Sequence, residues 1–65
     1  MNATIYARKQ ANGKDCYLVS NSQAVAFIEY LEWSSAQAGK ESKITVSRYN
    51  GRKYNKYSFI WICIQ

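Results

Sequence analysis

The side chains best suited to chemistry are concentrated in Arg48-Tyr-Asn-Gly-Arg-Lys-Tyr-Asn-Lys-Tyr57, where four basic residues interleave with tyrosines and asparagines and no acid intervenes. Guanidinium and ammonium groups bind phosphates, and tyrosine rings offer stacking surfaces to unpaired bases. The chemistry implied is recognition: Arg48, Arg52, Lys53 and Lys56 on phosphates, with Tyr49, Tyr54 and Tyr57 against bases. Catalysis has fewer parts. Histidine is absent, which removes the usual general base and metal ligand. Cys16 and Cys63 as nucleophiles would lack an imidazole partner. Glu29 and Glu32 are close in sequence, but a pair three apart on a helix reads as a solvated face. Asn50-Gly-Arg-Lys precedes no helix and is no phosphate loop. Metal ligands occur in no usable spacing. No catalytic residue, metal or cofactor is expected, and the chain reads as a binding protein, not an enzyme.

The elements that position these residues fit one domain, residues 1–65. A chain this short buries only about 60% of its unfolded surface, and an internal cofactor cavity of roughly 300 Å³ or more is not expected. Ten aromatic side chains exceed what so small a core can hold, so some must lie on the surface. Asn12-Gly13 is a strong hairpin signal, since both central positions of a type I′ turn need positive φ. That turn pairs Arg8 with Tyr17 and Lys9 with Cys16. It sets Ile5, Ala7, Cys16 and Leu18 on one face and Tyr6, Arg8, Tyr17 and Val19 on the other. Ser20 and Gln23 match a capping box, and Gly39 suits the position just past a helix end. Between them Ala24, Phe27, Ile28, Leu31, Ser35 and Ala38 share one side, while Glu29, Tyr30, Trp33 and Gln37 share the other. A second hairpin joins Lys43–Tyr49 to Tyr57–Ile64. Pairing Tyr49 with Tyr57 sets Val46 opposite Ile60 and Ile44 opposite Ile62.

The fold class expected is α+β in the order β-β-α-β-β: a four-stranded sheet of two antiparallel hairpins with one helix on one face. The aliphatic faces of both hairpins would close on the helix. Strand order stays open, though Phe59-Ile-Trp-Ile-Cys-Ile64 is apolar on both sides and should be central or covered twice. The other sheet face would then display Tyr6, Arg8, Tyr17, Val19, Tyr49, Tyr57, Phe59 and Trp61. An exposed patch of that size marks an interaction site. Stacked bases, a second copy forming a homodimer, and a foreign protein all fit it; a register one residue out would make the same rings core. Tyr30 and Trp33 on the outer helix face, beside Glu29, form a further surface better suited to protein than to nucleic acid.

Net charge is +5, distributed as −2 over residues 20–39 and +7 elsewhere, which favours a polyanion or an acidic protein face as partner. Two cysteines are too few for a disulfide framework. The expected pairing points them to opposite faces, so they read as buried thiols in a reducing cytoplasm. No leader opens the chain, and no apolar run approaches the roughly 18 residues of a membrane span.

The β-β-α-β-β order with aromatic strands resembles RNA-binding sheet domains. It departs from the RNA-recognition motif, because Tyr57-Ser-Phe-Ile-Trp-Ile-Cys-Ile64 lacks glycines and a second helix is missing. In size, solitary domain and crowded aromatic surface the chain is more similar to the small proteins that phages encode to block host machinery, anti-CRISPR proteins among them. That resemblance is of profile and rests on no particular residues. It implies an inhibitor or adaptor docking on a protein or nucleoprotein complex, with Trp33, Tyr30, Phe59 and Trp61 as anchors. Direct binding of DNA or RNA through the basic loop is the alternative.

Overall fold

The computed structural model describes residues 3–65; the first two residues of the expected domain lie outside the described residues. Strands β1 (Ala7–Ala11) and β2 (Lys14–Ser20) are followed by helix α1 (Asn21–Gln37) and by strands β3 (Ile44–Arg48) and β4 (Phe59–Ile64). The four strands form one antiparallel sheet in the order β1-β2-β4-β3, so the two hairpins join through β2 and β4. Because β2 and β3 both pair antiparallel with β4, they run parallel to each other with β4 inserted between them. The fold is the expected α+β class, and β4 is an interior strand, as its two-sided apolar character requires.

Local signals act where they were read. Asn12 and Gly13 adopt φ of 53° and 76°, and the hairpin register pairs Arg8 with Tyr17 and Lys9 with Cys16. Helix α1 ends in a Schellman motif: Lys40 donates its N–H to the Ser35 carbonyl at 2.9 Å and Gly39 to that of Ala36 at 3.1 Å. Its start differs from expectation. Ser20 is the N-cap residue but makes no side-chain cap bond, its hydroxyl instead sharing a hydrogen bond with that of Ser22 at 3.1 Å. Gln23 accepts the Thr4 N–H at 3.2 Å, so the side chain that would close a capping box serves the N-terminal segment instead. The helix start is held to the β3–β4 connection by Asn21, whose backbone N–H reaches the Ser58 carbonyl at 2.9 Å and whose side-chain amide reaches the Tyr57 carbonyl at 2.8 Å.

The main core lies between α1 and the sheet. Val19, Phe27 and Ile62 are buried there, with Ile5, Tyr17, Ala24, Ile28, Leu31, Ile44 and Ile60 packed against them. The faces of the first hairpin are therefore inverted from expectation: Tyr17 and Val19 meet the helix, while Cys16 and Leu18 point away. A β-bulge reconciles Ile5 with this arrangement. Ala7 is the register partner of Leu18, yet Tyr6 also donates its N–H to the Leu18 carbonyl at 2.9 Å, so two residues oppose one and the alternation resets. Ile5 thereby reaches the helix side with Val19.

The second hairpin keeps its expected faces in a shifted register. Val46 pairs with Ile62 and Ile44 with Ile64. The slip is two residues, an even number, so every side chain stays on its side. It lengthens the connection to residues 49–58. Tyr57 lies in a turn, where its N–H is taken by the Asn55 side-chain oxygen at 2.9 Å, and not in a strand.

Candidate functional site

The long connection folds back over the sheet face remote from the helix and makes a second, aromatic cluster there. Tyr6 meets Phe59 edge-on at 4.8 Å between ring centroids and Tyr54 at 5.6 Å. Tyr54 lies 4.9 Å from Phe59 and 6.0 Å from Tyr49, and Tyr49 is 6.5 Å from Trp61. Edge-to-face and offset pairs of this kind contribute about 0.5–1.5 kcal/mol each beyond area burial. Beneath them Leu18 is fully buried, and Tyr49 is buried too. The Tyr49 hydroxyl accepts the Tyr54 N–H at 3.3 Å. Gly51 lies against the hydroxyl end of the Tyr49 side chain, so close that a β-carbon there would stand 2.7 Å from ring atom Cε1. The glycine is what lets the chain cross the ring at this distance. Lys9 lays its ammonium 4.3 Å from the Trp61 ring centroid, covering the far end of the cluster.

The same face holds Cys16 and Cys63. They are direct register partners on β2 and β4, with Cα atoms 4.0 Å apart, and they form a disulfide. This overturns the expectation of two separate buried thiols on opposite faces, and the cause is the inverted first hairpin. It also removes the cysteines as grounds for a reducing compartment, since disulfides persist in oxidising ones.

Of the residues expected on one open sheet face, Arg8, Tyr17 and Val19 belong to the helix side. There Tyr17 packs edge-on against Phe27 at 5.5 Å, and Arg8 stands 5.9 Å over the Tyr17 ring. Tyr6, Tyr49, Phe59 and Trp61 lie on the remote face, largely engaged with one another and with Tyr54. The area expected for stacked bases or a second copy is thus occupied by the chain's own loop. The sequence signal for this closure was Gly51 placed two residues after a tyrosine, a spacing with many other meanings.

Two surfaces remain. At one end of the sheet an open groove of about 540 Å³ is lined by Asn21, Arg48, Asn50, Lys56, Tyr57 and Ile60, among others. It exceeds the volume thought unattainable in so short a chain because it forms between loop, strand ends and helix start, not inside the core. Arg48 and Lys56 bring two cations to it, and residues 42–65 contain no acid. Tyr57, on its rim, is 77% exposed. Arg52 and Lys53 are exposed on the loop, with the Lys53 ammonium 5.5 Å from the Tyr54 ring centroid.

The other surface is the outer side of α1. Trp33 is 61% exposed and Val25 71%, and Tyr30, 41% exposed, sits 6.4 Å from Trp33. At about 100° per residue Val25, Glu29 and Trp33 fall one turn apart along a line directly opposite Leu31 and the core. Glu29 and Glu32 are the only charges on the helix. Among the described residues no three His, Cys, Asp or Glu side chains gather so as to hold a metal ion, and no helix is long and apolar enough to cross a membrane.

In comparisons with protein-family models, characterised proteins and solved structures, nothing matches this chain.

Proposed function

We propose that the chain is a non-enzymatic docking protein, an inhibitor or adaptor that seats the outer face of α1 on a protein surface. The observation that carries this reading is the exposure of Val25 and Trp33 on the side of the helix pointing directly away from the core. A helix apolar on both sides is normally buried on both sides. Here the inner side meets the sheet and the outer side meets solvent. Tryptophan is the side chain most enriched among interface anchors.

The helix carries two acids and no base, so the partner face that complements it is apolar with cations at its rim. A second copy meeting this face symmetrically is disfavoured. Glu29 lies between Val25 and Trp33, and a twofold contact would bring the two Glu29 carboxylates together. The other anchors expected for protein docking, Phe59 and Trp61, are engaged within the aromatic cluster, which leaves Trp33 and Tyr30 to act. Blocking a functional surface by occupying it needs no catalytic group, in keeping with the phage-inhibitor profile that the sequence resembles.

Affinity capture from a lysate of the native host tests the reading. The bait is the wild type beside Val25→Glu/Trp33→Glu and Arg52→Glu/Lys53→Glu. Retention of a stoichiometric protein by wild type and the loop variant, and its loss in the helix variant, is the expected outcome. Retention by the helix variant would count against it. Both pairs are exposed, so circular dichroism should report an intact fold in each.

A further inference from the structure

We infer that the groove beside Tyr57 is a binding site for single-stranded nucleic acid, separate from the outer face of α1. The decisive feature is how Tyr57 is held. Its N–H is bound by the Asn55 side chain at 2.9 Å and its carbonyl by the Asn21 side-chain amide at 2.8 Å. The next residue, Ser58, donates to the Asn55 carbonyl at 3.0 Å and accepts from the Asn21 N–H at 2.9 Å. Two of these hydrogen bonds brace the turn internally and two fix it to the helix start, while Tyr57 itself is 77% exposed. Tyr6, Tyr49, Tyr54, Phe59 and Trp61 are drawn together into one cluster; Tyr57 stands beside it in water, with the Lys56 ammonium 5.2 Å from its centroid.

An exposed ring carried on a hydrogen-bonded turn and flanked by cations, over a groove without a carboxylate, suits a chain of phosphates with accessible bases. Arg48 and Lys56 would neutralise successive phosphates, Tyr57 would receive a base face, and the Asn50 amide would supply a polar edge. The bases of a duplex are already stacked on their neighbours, so an exposed ring gains little from one. An acidic protein segment would use the cations but leave the ring without purpose. The strand, not the protein, is the occupant that uses every group.

The test is fluorescence anisotropy with nuclease-treated protein and labelled oligo-dT and oligo-rU of about 12 nucleotides, a length within single-strand site sizes. A duplex of the same length runs beside them, from low to physiological salt. The inference expects a single strand to be bound at physiological salt and to be preferred to the duplex. Tyr57→Ala should weaken binding roughly 5- to 150-fold, the range of one base-stacking contact, and Tyr57→Phe should restore it. Arg48→Gln and Lys56→Gln should each flatten the logarithmic salt slope by about 0.7. Trp33→Glu should leave all of this unchanged, which separates this site from the α1 reading. Absence of binding at physiological salt would overturn the inference. So would a duplex bound as tightly as either strand, or a Tyr57→Ala variant of unaltered affinity.

Discussion

Replacing Cys16 and Cys63 together by alanine should come close to unfolding this protein. The two residues are separated by 47 positions, so their bond closes most of the chain into one loop. The chain-entropy relation for a loop of that length gives about 13–14 cal/mol/K lost by the unfolded ensemble, or about 4 kcal/mol at 25 °C. A domain of this size has a total stability of about 3–10 kcal/mol, so the bond represents a large share of it. With an unfolding entropy near 2 cal/mol/K per residue, the loss corresponds to a fall in Tm of roughly 20–30 °C. Both sulfurs lie in buried positions, Cys16 at 2% and Cys63 at 7% exposure, so reductant must wait for the fold to open. Thermal melts by circular dichroism of the oxidised protein, the reduced protein and Cys16→Ala/Cys63→Ala measure the shift. Thiol titration in denaturant of protein purified without reductant checks the bond itself and should find no free thiol. Two titratable thiols, or a double variant melting within a few degrees of wild type, would refute this account.

Four further outcomes follow from the packing. Gly51→Ala should destabilise by about 1–3 kcal/mol, because the new methyl displaces the Tyr49 ring; chemical denaturation measures it. Leu18→Ala should cost about 2–5 kcal/mol although Leu18 faces away from the helix. Val46→Ala, on the helix side of edge strand β3 but 54% exposed, should fall within about 0.5 kcal/mol of wild type. The two tryptophans should separate in fluorescence. With Trp61→Phe the remaining emission, from Trp33, should be red-shifted and readily quenched by acrylamide; with Trp33→Phe it should be neither.

Much of the fold was legible in the sequence because its signals are local. Asn12-Gly13 demands a tight turn, the spacing of Phe27, Ile28 and Leu31 marks a helical core face, and the double apolarity of β4 marks an interior strand. The faces of the first hairpin were not legible, for a physical reason. Alternation divides a strand into two sets of side chains without saying which set meets the helix. In β2 both sets are apolar and both are covered, Val19 and half-buried Tyr17 against α1, Cys16 and Leu18 under the aromatic cluster. The bulge at Tyr6 then carries Ile5 to the helix side with Val19, and a bulge adds a residue without any composition of its own. The disulfide was missed through the same inversion. For the candidate site, the exposure of Tyr30 and Trp33 followed from helix periodicity. The withdrawal of Tyr49 and Tyr54 into the loop's own packing did not, because it depends on the chain doubling back at Gly51.

The inversion also changes which surfaces can act. An aromatic sheet face open to partners would have made Phe59 and Trp61 the natural anchors. With the loop closed over that face, the surfaces left for the two proposed roles are the cationic groove beside Tyr57 and the outer side of α1, across the sheet from the aromatic cluster. They carry opposite charge, as the uneven distribution along the sequence foreshadowed. If both proposals hold, the chain would bridge a protein and a nucleic acid in one complex.

Site-specific photocrosslinking tests the central claim most directly. A photoreactive amino acid replaces Val25 on the outer face of α1, or Asn12 at the tip of the first hairpin, and each protein is irradiated in lysate of the native host. The account predicts a discrete protein adduct from position 25, abolished when Trp33→Glu is added, and none from position 12. Adducts from position 12 with none from position 25, or an adduct at 25 indifferent to Trp33→Glu, would contradict it.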